Sequence, residues 1–127
     1  MMKIVTVCAL LAGILFIGVQ SLSYLEAHNT YRNIEGVPPM TYDTAIATKA
    51  AEHAEKCLWE HSSYTFRSNT AGYNYLGENL YIKWGVGSSV TADDVVASWY
   101  NEKVDYNPDD LSCTTGKMCG HYTQVLT

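Results

Sequence analysis

Positive charge is scarce in this chain, with 8 Lys and Arg against 13 Asp and Glu and a formal net charge of −5. No cluster of Lys or Arg compensates locally. That excludes the sequence-independent phosphate binding a basic stripe supports, so no nucleic-acid partner is expected. Two catalytic signatures are also missing: H-E-x-x-H, which sets two histidines on one helix face around zinc, and G-x-S-x-G, which lifts a serine nucleophile onto a sharp turn. There is no internal repeat and no low-complexity tract. The longest apolar run, Ile4 to Val19, is about 16 residues, short of the roughly 20 that span a bilayer.

What surrounds that run gives it a meaning. Lys3 supplies a positive start, and Ser21 or Ser23 offers a small residue before a polar, helix-like stretch. The expectation is a cleaved signal peptide over residues 1–21 and a domain over 22–127, with a membrane anchor as the alternative reading. After cleavage the protein is expected to be secreted and extracellular, with no stable membrane insertion. Cys8 would leave with the leader. Cys57, Cys113 and Cys119 then sit in an oxidising compartment, where pairing is expected rather than metal binding or nucleophilic work. Three is an odd number, so either one thiol stays free or pairs between chains, or partners lie beyond Thr127 and the chain is incomplete.

Hydrophobic residues make up 47% of the chain, with ten Tyr and three Trp, enough to bury the core of one modest domain. Leu25, His28, Tyr31 and Arg32 recur at helical spacing over Tyr24–Ile34, and Gly36 with Pro38-Pro39 stops them. Asp43 is a plausible cap for a second helix reaching about Leu58, its apolar face formed by Ile46, Ala50, Ala54, Cys57 and Leu58. Ser62 to Gly77 shows no period and reads as a long surface loop, followed by a strand at about Asn79–Lys83. Gly85, Gly87, Ser88 and Ser89 break the chain before Thr91 or Asp93 caps a third helix, with Val95, Val96, Trp99, Tyr100 and Val104 on one face and Asn107-Pro108 at its end. Asp109 to Gly120 reads as a polar loop, and His121 to Leu126 as a strand. Three helices and two strands make an α+β domain, layered α-β-α.

Five ordered segments resemble the CAP family of cysteine-rich secretory, antigen 5 and pathogenesis-related 1 proteins, also called the SCP domain. They are Ala27-His28-Asn29 with Arg32, Cys57-Leu-Trp-Glu-His61-Ser62, Gly77-Glu78-Asn79-Leu80, Trp99-Tyr100-Asn101-Glu102 with Tyr106, and Gly120-His121-Tyr122-Thr123-Gln124-Val125. Helminth venom allergen-like and plant members look nearest. The resemblance implies an α-β-α sandwich, here incomplete: the family continues past this point with Val-Trp and two further strands, whereas Leu126-Thr127 closes this chain.

The resemblance also implies a cleft lined by a tetrad, His61, Glu78, Glu102 and His121. His61 and His121 would bind zinc or another divalent ion weakly, with no cofactor needed for folding. Neutral imidazole is a common zinc ligand, and a neighbouring carboxylate orients the ring. Glu78 and Glu102 read either as a general base or as buried partners holding the histidines. His28 is expected to pack and hydrogen-bond within the first helix, and His53 to be solvated. Tyr73, Tyr75, Tyr81 and Trp84 read as core and loop packing, or as exposed aromatics that contact lipid. The favoured function is a binding module for a lipid, sterol or fatty acid, or for an extracellular protein. The alternatives are a zinc-dependent hydrolase or protease with Glu78 or Glu102 as base, and an inactive fragment.

Overall fold

The computed structural model describes residues 3–7, 17–84 and 89–127. Cys8, the middle of the apolar leader and most of the Gly85–Ser89 break therefore lie outside the described residues.

The chain is α+β, with helices packed around small two-stranded sheets. Strand β1 (Lys3–Val7) runs parallel to β4 (Gly77–Tyr81), in register from Lys3 opposite Gly77 to Val7 opposite Tyr81. The sequence reading places β1 within the leader. A short continuous apolar run suits a buried parallel strand as well as a leader, so periodicity does not separate the two. Helix α1 (Ile17–Ile34) starts seven residues before the expected Tyr24 and ends where expected, at Gly36, whose φ of 68° is the left-handed turn that closes a helix.

Helix α2 (Thr44–Ala54) is capped by the Asp43 carboxylate, which accepts from the amides of Ala45 and Ile46. It stops earlier than expected. Cys57 adopts a left-handed φ of 49°, which turns the chain and leaves Leu58 exposed instead of on the buried face. His53 takes that inner position beside Ile46 and Ala50, correcting the expectation that it is solvated. Its burial is satisfied because Nε2–H donates to the Glu60 carbonyl at 2.8 Å.

The segment expected as a loop is ordered into α3 (Tyr64–Arg67), capped by Ser63, and a hairpin of β2 (Ser68–Thr70) and β3 (Tyr73–Tyr75). Ala71 and Gly72 both have positive φ, the geometry of a two-residue hairpin turn. These elements are too short to show a hydrophobic period, which is why the sequence does not reveal them.

Helix α4 (Ala92–Tyr100) begins with a capping box in which Thr91 and Asp94 satisfy one another's amides. It passes into a 3-10 turn, Asn101–Asp105. The tighter winding rotates Val104 off the expected apolar face and leaves it 86% exposed. Strands β5 (Tyr106–Asn107) and β6 (Ser112–Cys113) then pair across the expected polar loop. A disulfide joins Cys113 to Cys119, Cys57 is also disulfide-bonded, and no described cysteine is free, which removes the free-thiol alternative.

The expected C-terminal strand is instead α5 (Gly120–Leu126). Two tertiary effects override its β-branched composition: Tyr122 and Val125, three residues apart, are both buried, and the Glu102 carboxylate receives the first amides of the turn. Ala27, Val95, Val96, Trp99 and Val125 form one apolar cluster joining α1, α4 and α5. Ile46, Ala50 and Leu76 form a second beside β4. Arg32 ties α1 to both ends of this arrangement, donating to the carbonyls of Pro38 and Val125 at 2.8 Å each.

Candidate functional site

Strand β4 organises the site. Gly77 opens it, and a Cβ there would fall 2.3 Å from the amide end of the Gln124 side chain, which would have to move aside. Glu78 comes next, fully buried. Its Oε1 accepts from the His61 ring at 2.8 Å and from the Ser62 amide at 2.9 Å, and its Oε2 accepts from the Ser62 hydroxyl at 2.7 Å. Burial alone would raise this carboxyl; the hydrogen bonds from Ser62 and His61, with Arg67 nearby, outweigh it and hold Glu78 below the ordinary Glu value. The His61 side chain, by contrast, is 56% exposed. One end of this dyad is fixed and the other faces solvent.

The second dyad is built at the junction of α4 and α5. Glu102 accepts the His121 ring proton at 2.7 Å through one oxygen and the His121 amide at 2.9 Å through the other. The His121 ring stacks on Trp99 at 6.3 Å, and the Trp99 indole donates to the Leu80 carbonyl at 2.9 Å. The Asn79 amide donates to the His121 carbonyl at 3.1 Å. Both dyads therefore hang on adjacent residues of β4, the first on Glu78 and the second on Asn79.

The four tetrad residues are thus brought together two by two. In each dyad Nδ1–H donates to a carboxylate, which fixes the tautomer and leaves Nε2 with a lone pair. That is the donor chemistry of a zinc-ligating histidine oriented by its carboxylate. Among the described residues no three His, Cys, Asp or Glu side chains are grouped as a protein-only metal shell would require. Each dyad on its own presents one imidazole nitrogen suited to an ion, and the described residues form no closed protein-only metal shell.

Ser62, Asn79 and Trp99 hold the dyads, although the sequence marks them only as motif residues. Their roles depend on contacts across 16 to 42 residues, which spacing does not reveal. Arg67 and His53 belong to no motif. Arg67 donates to the Ser62 carbonyl at 3.2 Å, and His53 pins Glu60 immediately before His61. His28 behaves as expected, buried and donating to the Tyr24 carbonyl at 2.7 Å. Of the expected aromatic cluster, Tyr75 and Tyr81 are half-buried while Tyr73 and Trp84 are exposed. Leu58, Trp59 and Tyr64, on either side of His61, are exposed as well.

An α+β fold in which two carboxylate-held histidines are anchored to adjacent residues of one strand is the arrangement expected of a CAP domain. The chain belongs to that family: the cysteine-rich secretory protein family, CAP, matches residues 25–127. It is 40% identical to pathogenesis-related protein 1C of Nicotiana tabacum over 107 residues, 81% of this chain and 56% of that protein. It is 37% identical to a PR-1 type pathogenesis-related protein of Sambucus nigra, over 81% of this chain and 58% of that one. Peptidase inhibitor 16 of Bos taurus is 35% identical over 80% of this chain and 21% of its own length. The chain spans a little over half the length of these plant relatives, and the plant side of the expected resemblance is borne out. No described helix is long and apolar enough to cross a membrane.

Proposed function

We propose that this chain is a secreted binding module whose ligand, a lipid such as a sterol or fatty acid or an extracellular protein, lies against the aromatic surface around His61. The exposure of Trp59 at 59% and Tyr64 at 69%, on either side of that histidine, carries this reading. Large aromatic side chains left in water next to an ordered polar dyad offer contact area that a ligand would cover. Tyr64 is held in place by stacking on Tyr75 at 5.0 Å, and Tyr75 in turn lies under the Arg67 guanidinium at 4.9 Å. This surface is ordered before any ligand arrives, which lowers the entropic cost of binding.

The dyads support a second reading, zinc-dependent hydrolysis. His61 and His121 would hold the ion through Nε2, and Glu78 and Glu102 would orient the two rings. A bound zinc supplies Lewis acidity and an activated water. Against catalysis by Glu78 stands its hydrogen bonding: Ser62 and His61 already occupy its oxygens and stabilise its ionised form, which makes it a weak base.

The experiment that separates the readings compares wild type with Glu78→Gln and Glu102→Gln. Sterol and fatty-acid binding are measured beside a peptidase and esterase panel, with and without zinc. The proposal expects ligand binding by the wild type and no zinc-dependent turnover. Turnover that either substitution abolishes would establish the hydrolase instead.

A further inference from the structure

Glu35 lies just past the end of α1, outside every segment that carries the family resemblance, yet it collects donors from three other elements. Its Oε1 accepts from the Tyr100 hydroxyl and from the Lys103 ammonium, the latter at 2.5 Å, and its Oε2 accepts from the Tyr122 hydroxyl at 3.4 Å. Tyr100 ends α4, Lys103 follows Glu102 in the 3-10 turn, and Tyr122 follows His121 in α5. The donors therefore flank both members of the second dyad. Ring contacts fill the space between them: Tyr31 stacks on Tyr100 at 4.5 Å, Tyr100 meets Tyr122 edge-on at 5.8 Å, and Tyr106 lies 5.3 Å from Tyr122.

The Glu35 side chain is only 16% exposed. Burial alone would raise its carboxyl, but Lys103 and the tyrosine hydroxyls outweigh it and hold the group below the ordinary Glu value. It is an anion at neutral pH, and an anion is what three converging donors require.

We propose that Glu35 is the positioning residue of the Glu102–His121 dyad, fixing the 3-10 turn that bears Glu102 against the start of the helix that bears His121. The dyad bond is 2.7 Å long and joins two separate elements, so a few tenths of an ångström of drift between them weakens it. Packing of the three helices does not depend on Glu35, because Ala27, Val95, Val96, Trp99 and Val125 form their common core. Losing the carboxylate thus releases the dyad while leaving the fold in place. The inference builds on the two-dyad site described above and needs neither a bound metal nor a ligand.

The test is the ring nitrogen spectrum of the histidines in the ¹⁵N-labelled chain, which reports the tautomer of each ring. In wild type, His61 and His121 are both expected in the Nδ1–H form. In Glu35→Gln, and separately in Tyr122→Phe, which keeps the ring packing, His121 shifts toward a mixture with the Nε2–H form while His61 does not. Glu35→Asp, which restores the charge, recovers part of the shift. An unchanged His121 in both folded variants, or a parallel change in His61, overturns the proposal. A wild-type chain that bound no lipid would remove the lipid-binding reading, yet this comparison would still decide the role of Glu35.

Discussion

The residue on which most of the site converges is Glu78, and its environment makes a claim about stability. Three hydrogen bonds reach a fully buried carboxylate, and together they depress its pKa below the ordinary Glu value, near 4.3. A depressed folded value means that the unfolded chain takes up its proton first. The stabilisation is therefore complete at neutral pH and is lost as the pH falls through the folded value. Glu78→Gln should cost about 1–3 kcal/mol at pH 7, the range for leaving buried donors poorly satisfied. Denaturant melts at pH 7 and at acid pH check this: the difference between wild type and variant should shrink on acidification. A variant as stable as wild type at pH 7, or two proteins losing stability in parallel, would mean that the Glu78 charge does not hold the segment of His61 and Ser62. The sequence already showed Glu78 as a motif residue, but not its partner Ser62 or the pinning of Glu60 by His53, because a lone polar residue on a helix gives no sign of being buried.

Among the elements, the helices with clear caps were the most legible. Asp43 caps where the sequence places it, and of the two candidates Thr91 and Asp93 it is Thr91 that caps α4, since a cap is a local interaction among residues adjacent in the chain. Elements that depend on distant partners were not legible. The stretch from His121 to Leu126 reads as a strand by composition and becomes part of a helix because Glu102, 19 residues before His121, receives its first amides. Residues 3–7 read as leader and pair with β4 in the structure. Cleavage near Ser21 or Ser23 removes β1 and the opening turn of α1, and leaves β4 without that neighbour. N-terminal sequencing of protein recovered from medium is expected to start at about residue 22 to 24. Recovery with Met1 in place would show that β1 remains part of the working molecule.

For the molecule as a whole, the family could be read from the sequence because its motifs are short and local, while the working surface could not, because it is assembled from several of them. The acidic balance, net −5, sets the kind of partner rather than the fold and argues against a polyanion. Strand β4 joins the two dyads, and exposed aromatics bracket the more open one. Those aromatics are the part of the site on which the proposed function depends. Removing two of them should cost at least about tenfold in affinity, since one fully covered aromatic side chain contributes roughly 1.5–3 kcal/mol. The most direct test is calorimetric titration of a sterol or fatty acid into wild type and into a Trp59→Ala, Tyr64→Ala double variant. The account predicts binding by the wild type and a loss of tenfold or more in the variant; equal affinity in the two proteins would contradict it.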